Sequence, residues 1–135
     1  LIGHAGDCRV YFSKNNKLIQ LTTDQTRYQE LLDSGEHKLR NLRNHKERLS
    51  SILTNALSNT TDLNFELISM PVDELKTDGC FQLFAMSDGA YKHWDIRPKF
   101  SEKTMSSPSA FASSLRRRIE KNIIDDYTFI GVKLS

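Results

Sequence analysis

The chain has 135 residues, 38% hydrophobic and 27% charged, and its 19 basic and 17 acidic side chains leave a net charge of +2. That length suits one domain or part of one, and so even a balance gives no argument for a nucleic acid or an anionic membrane as partner. No apolar run approaches the ~20 residues that a membrane-spanning helix needs.

The chain opens on Leu1 rather than Met, inside what reads as the tail of a strand, Leu1 to Gly3. We therefore expect sequence upstream of it. Asp7 to Phe12 reads as a strand, with Cys8, Val10 and Phe12 on one face and Arg9 and Tyr11 on the other. A polar connection, Ser13-Lys14-Asn15-Asn16-Lys17, leads to a returning strand, Leu18 to Leu21, which makes an antiparallel hairpin. Asp24 is suited to cap a helix from about Thr26 to Ser34, ended by Gly35. Residues 36–48 are strongly polar and read as a surface loop or solvated helical turn. Leu49, Ile52, Leu53, Ala56 and Leu57 then follow at helical spacing.

Phe65 to Met70 reads as a strand that Pro71 terminates, and Asp78-Gly79 as a turn. Cys80 to Met86 is almost continuously apolar, the pattern of a strand covered on both faces. Gly89 permits a sharp exit after Asp88, and Ala90 to Trp94 begins a short helix in which Tyr91 and Trp94 pack inward. Residues 97–107 are irregular, with Pro98 and Pro108 as breakers. Ser107-Pro108 fits the cap and first turn of a helix reaching about Lys121, with Phe111, Leu115 and Ile119 on its buried side. Tyr127 to Leu134 is the last strand. Strands and helices without regular βαβ alternation give the class α+β. Cys8 and Cys80 fall in strand patterns and read as buried, reduced thiols of a cytosolic protein. The histidines show no paired metal-ligand spacing, and Arg116-Arg117-Arg118 reads as the solvated face of a helix.

Three aspartates sit where apolar strands begin or end: Asp7, Asp88 and Asp125. If the last two long strands pair antiparallel, Asp88 and Asp125 meet at one sheet edge, and Asp7 could reach the same end from a nearby position. Carboxylates forced together repel, and a hard divalent cation with oxygen ligands relieves that repulsion. Each also has an ordinary reading. Asp125 and Asp126 could be turn residues, Asp88-Gly89 a plain turn, and Asp7 a partner of Arg9 or a turn cap.

Five segments in order resemble the C-terminal part of a metal-dependent Ser/Thr protein phosphatase of the type-2C family. They are Gly6-Asp7-Cys8-Arg9, Leu21-Thr22-Thr23-Asp24-Gln25, Leu53-Thr54-Asn55-Ala56-Leu57-Ser58, Ser87-Asp88-Gly89 and Asp125-Asp126. Each alone is weak; their order across nearly the whole chain is the signal. The resemblance implies part of a four-layer α-β-β-α sandwich, two antiparallel sheets flanked by helices. Residues 1–135 would be the C-terminal portion of a single catalytic domain. It further implies Mn²⁺ or Mg²⁺, with Asp88 and Asp125 as ligands of a main pair of ions and Asp7 helping Asp88 to hold a third, weaker one. In that family the metals activate a water for in-line attack on phosphorus. The implied substrates are phosphoserine and phosphothreonine proteins, the targets of Ser/Thr kinases, and the implied protein is a cytoplasmic monomer.

Departures from the pattern are Cys8 for Ser, Gln25 for His and Ser58 for Gly, none of which removes a ligand. The family's Asp-Gly-His-Gly-Gly segment and its phosphate-gripping arginine have no counterpart and would precede Leu1, so this chain alone is expected to be inactive. Asp126 is expected to support the turn, and Asp24 to cap rather than bind. The competing readings are a non-catalytic, phosphatase-like binding or regulatory module, and an unrelated small α+β interaction domain.

Overall fold

The structure is a computed structural model that describes residues 1–59, 62, 64–76 and 80–134. The expected turn at Asp78-Gly79 lies outside the described residues. In chain order the first elements are β1 (Ile2–His4), β2 (Arg9–Lys14), β3 (Lys17–Gln20), α1 (Arg27–Ser34), α2 (Leu39–Asn44), α3 (Lys46–Ser50) and β4 (Glu66–Ile68). They continue with α4 (Val72–Leu75), β5 (Phe81–Met86), α5 (Asp88–Ile96), α6 (Glu102–Met105), α7 (Pro108–Ile119) and β6 (Phe129–Leu134). Two antiparallel sheets with helices make the fold α+β, as the sequence leads one to expect. The chain divides into two compact units, one of Leu1–Asp7 and Thr23–Ile68, the other of Cys8–Thr22 and Ser69–Ser135.

The second unit holds a four-stranded sheet in the order β3-β2-β5-β6. Its β2–β3 hairpin turns on Asn15 and Asn16, with φ of 51° and 60°. Two successive left-handed residues give the turn whose twist matches that of the flanking strands, and asparagine tolerates them better than most side chains. β5 pairs with β2 on one side and β6 on the other, in the register Tyr11↔Phe84 and Phe84↔Gly131. Phe84 is thus the centre of the sheet. Its ring stacks on Phe111 of α7 at 4.8 Å, and Trp94, Phe100 and Phe129 close around Phe111 at 5.2–5.5 Å. Phe111, Leu115 and Ile119 are the buried side of α7 as expected. Ser107 caps that helix, its hydroxyl accepting from the Ala110 amide, and Pro108 occupies the first turn.

Arg118 departs from the expectation of a solvated face. Its guanidinium donates to the carbonyls of His93, Arg97 and Lys99 and lies 4.3 Å above the Phe100 ring, tying the segment after α5 to α7. Partial burial lowers its pKa, with the Arg97 charge adding to the effect. Arg116 and Arg117 keep to the outer face, with Glu120 and Ser114 as partners. Residues 102–105, expected to be irregular, form the short α6. Neither cysteine is fully buried: Cys8 is exposed and Cys80 half-buried, and neither is in a disulfide.

The first unit is built differently. β1 and β4 make a two-stranded antiparallel sheet with Gly3 opposite Leu67. The cap of α1 is Thr26, not Asp24: the Thr26 hydroxyl accepts from the Gln29 amide, and Gly35 closes the helix in the left-handed conformation. Thr26 is also bridged to Leu53. That extended bridge explains why residues 52–57 are not helical despite their spacing. The Arg27 amide donates to the Ile52 carbonyl and the Thr54 amide to the Gln25 carbonyl, so backbone groups that a helix would need are paired with another segment.

Candidate metal centre

In the second unit, β5 ends at Met86 opposite Phe129, and the pairing does not stop there. The Ser87 amide donates to the Thr128 carbonyl at 3.1 Å, and the Ser87 hydroxyl accepts from the Thr128 amide at 2.9 Å. Ser87 is the N-cap residue of α5, yet its side chain makes no cap hydrogen bond. It spends its oxygen on the neighbouring segment instead. The result is a clamp that fixes residues 125–128 beside the head of α5.

Asp88 is therefore the first residue of a helix and not the last of a strand. Its position there is favourable for a carboxylate, because the free amides and the dipole of the first turn favour negative charge. One oxygen, Oδ1, accepts from the Gly89 amide at 2.9 Å, and the other, Oδ2, from Lys92 Nζ at 2.7 Å. Asp125 lies in a bend four residues before β6, and its Oδ1 accepts from the Asp126 amide at 2.8 Å. Asp126 thus contributes its backbone to this bend.

Gly89 decides how close these two aspartates come. A Cβ built at position 89 would collide with the Asp126 carbonyl oxygen and stand 3.0 Å from that of Asp125. The backbone of 125–126 lies directly on the head of α5, and any side chain at 89 would push it away. The sequence reading gave Gly89 a different role, freedom for a sharp turn. Its φ is not in the left-handed region; it is glycine because a second backbone occupies the place of its Cβ.

Asp7 is in the first unit. It follows Gly6, which has φ of +104°, in a bend two residues before β2 rather than inside the strand. The bend is fixed by Gln25. The Gln25 side-chain oxygen accepts from the Gly6 amide at 2.7 Å and from Asn55 Nδ2 at 2.9 Å, and the Gln25 amide donates to the Gly6 carbonyl. In the sequence Gln25 stands out only as a departure from a histidine, and its three-way role has no local signal. Ser87 belongs to a legible motif, but its bond to Thr128 has no local signal. Lys92 had a legible signal, since it stands four residues after Asp88, the spacing of facing side chains on one helix.

Asp88 and Asp125 offer carboxylate oxygens, the ligand type that suits a hard divalent cation. Among the described residues no three His, Cys, Asp or Glu side chains converge into a metal-binding group. Two cavities lie elsewhere, one in each unit. One of about 410 Å³ is lined by Asn16, Cys80, Gln82, Met105 and Lys133, and one of about 370 Å³ by Asp24, Gln29, Asp33 and Asn55; neither touches Asp88 or Asp125.

Several solved structures share this fold over nearly the whole chain. The PPM Ser-Thr phosphatase MsPP from Mycobacterium smegmatis, in complex with cacodylate, superposes with a TM-score of 0.64 at 22% identity, covering 97% of this chain and 54% of that one. The S. agalactiae serine/threonine phosphatase gives 0.69 at 14% identity, and the Mycobacterium tuberculosis phosphatase PstP/Ppp 0.61 at 20%; each matches 97% of this chain and 52–53% of its own. This chain has the PPM phosphatase fold. It spans about half the length of the phosphatases it matches. No protein-family model matches the sequence, and no curated protein matches it. No helix among the described residues is long and apolar enough to cross a membrane.

Proposed function

We propose that this chain is the C-terminal portion of the catalytic domain of a metal-dependent phosphoserine/phosphothreonine protein phosphatase. Asp88 and Asp125 are its contribution to the main metal pair, Mn²⁺ or Mg²⁺, and Asp7 its contribution to a third, weaker site. The observation that carries this reading is the contact at Gly89, which seats Asp125-Asp126 on the head of α5 within a phosphatase fold. Bound metal would supply a water of lowered pKa and neutralise charge on the phosphoryl oxygens. The chain's own residues hold and orient: Ser87 fixes the 125–128 segment, and the first turn of α5 presents Asp88.

A portion of a larger domain also accounts for the outer face of β6. Ile130, Val132 and Leu134, alternating with the residues that face the helices, are 58%, 44% and 46% exposed. Apolar strand faces at a sheet edge are normally covered, since they invite pairing and aggregation. Lacking the upstream segment, the chain alone is inactive in this reading. Its substrates are phosphorylated proteins and its compartment the cytoplasm. A non-catalytic, phosphatase-like regulatory module is the second reading, favoured by Lys92, a cation already resident on Asp88.

The test uses the parent protein with its upstream sequence restored. It should hydrolyse a phosphothreonine peptide with Mn²⁺ and stop with a chelator. Asp88→Asn or Asp125→Asn should lower kcat by about two orders of magnitude or more, about 3 kcal/mol of transition-state stabilisation. Turnover that survives the chelator, or near-normal rates in both variants, would leave the regulatory module as the better reading.

A further inference from the structure

The side chain that touches Asp88 most closely is a cation of the protein itself. Lys92 Nζ lies 2.7 Å from Asp88 Oδ2, and the remaining oxygen, Oδ1, is engaged by the Gly89 amide at 2.9 Å. The pair is spaced i to i+4 within α5, so the helix holds the two side chains on one face. Lys92 is half-exposed and Asp88 less so, at 49% and 29%. Its charge thus occupies one of the two carboxylate oxygens that an arriving ion would use. A metal ion on Asp88 must either displace the ammonium from Oδ2 or bind beside it. In both cases an ammonium carried on the same helix face remains near a divalent cation, and like charges repel. No other basic side chain is paired with Asp88 among the described residues.

We propose that Lys92 is a built-in competitor for the Asp88 metal position: it holds the carboxylate in place when no metal is bound and weakens the metal that replaces it. This rests on the metal-centre reading above. It adds to that reading a specific residue, a sign and a consequence. The site is set to a weaker affinity than its carboxylates alone would give, so occupancy follows the free concentration of metal. Lys92 acts through Asp88, as a positioning residue and not a catalytic one.

The experiment titrates Mn²⁺ into the isotopically labelled parent protein, its upstream sequence restored, and reads paramagnetic broadening of backbone amides, with Gly89 and Asp126 as reporters. Lys92→Met removes the charge and keeps the length of the side chain; Lys92→Arg keeps the charge. The expected result is broadening of both reporters at about tenfold lower Mn²⁺ in Lys92→Met, and at unchanged concentration in Lys92→Arg. Trp94 fluorescence checks that each variant remains folded. Equal midpoints in the wild type and Lys92→Met, or weaker binding in Lys92→Met, would overturn the competition while leaving the metal centre standing. Reporters that stay sharp in every variant would remove the metal centre, and this proposal with it. An equal gain in Lys92→Arg would show that contact shape, and not charge, is what competes, which also overturns the proposal.

Discussion

Asp88 and Asp7 are held in place by different physics. Beneath Asp88 lies the packed core of the second unit: Phe84, Met86, Tyr91, Trp94, Met105, Phe111, Leu115 and Ile119 are all buried. In the first unit Leu42 is the one buried large apolar side chain among the described residues, and the other buried side chains there include His4 and Thr26. Asp7 follows a bend secured by hydrogen bonds to a single glutamine. Core burial is a collective term of many contacts, each small, whereas a bend held by one amide depends on that amide. Positions over a core should therefore resist local perturbation and fail only with the whole unit. Positions on a polar bend should loosen one at a time.

Phe111→Ala challenges that contrast most strongly. The ring has no exposed surface and meets Phe84, Trp94, Phe100 and Phe129. Truncation should cost about 3–5 kcal/mol, seen as a fall in the denaturant midpoint followed by Trp94 fluorescence. A loss below about 1 kcal/mol would mean that the head of α5 rests on something other than this core.

Gly89→Ala is the next largest and separates the site from its support. The new methyl group meets backbone carbonyls, which cannot rotate away as a side chain could. We expect about 1–3 kcal/mol of destabilisation, the usual range for overpacking. The effect should concentrate on the Ser87–Thr128 clamp, with faster hydrogen exchange at those two amides and little change at Phe84. Unchanged exchange at the clamp would show that the 125–126 backbone has room to withdraw.

The sequence made the long strands, the hairpin, the α7 cap and the candidate aspartates legible, and the physical reason is common to them. Each is specified within a few residues: an apolar run, Asn15-Asn16, Ser107-Pro108, or a short motif. What was misread depends on partners remote in the chain. Asp24 and Thr26 are both good capping residues, and the choice falls to Thr26, which also forms the bridge to Leu53. The apolar spacing of residues 49–57 is helical, yet that same bridge holds Leu53 extended. Arg118 looks like its two neighbours in sequence and differs only because three carbonyls of residues 93–99 lie within its reach. Ser87 belongs to a short motif that drew attention to Asp88, while its own hydroxyl bonds a residue 41 positions on. Local chemistry is written in the sequence; the choice among chemically equivalent candidates is made by tertiary contacts.

Gln25→Ala gives the smallest effect and tests the polar side of the contrast. The substitution leaves the Gln25 backbone bonds to Gly6 and Thr54 in place and removes only the side-chain acceptor shared by the Gly6 amide and Asn55. Gly6 is buried, so its N–H has no ready access to water when that acceptor is gone. A buried donor left unsatisfied costs about 1–3 kcal/mol, and relaxation of the bend at half-buried Asp7 should bring the loss to the low end of that range. The expected signature is local: faster exchange at the Gly6 amide, by about tenfold for each 1.4 kcal/mol, with exchange at Phe84 unchanged. Gln25→Glu retains an acceptor oxygen for Gly6 and should recover most of the protection, while the Asn55 contact keeps an oxygen to donate to. Should Gln25→Ala slow nothing and loosen nothing at Gly6, the bend before Asp7 is held by the backbone alone. Should it instead lower the global midpoint as far as Phe111→Ala does, the first unit is not the locally yielding region that its polar interior implies.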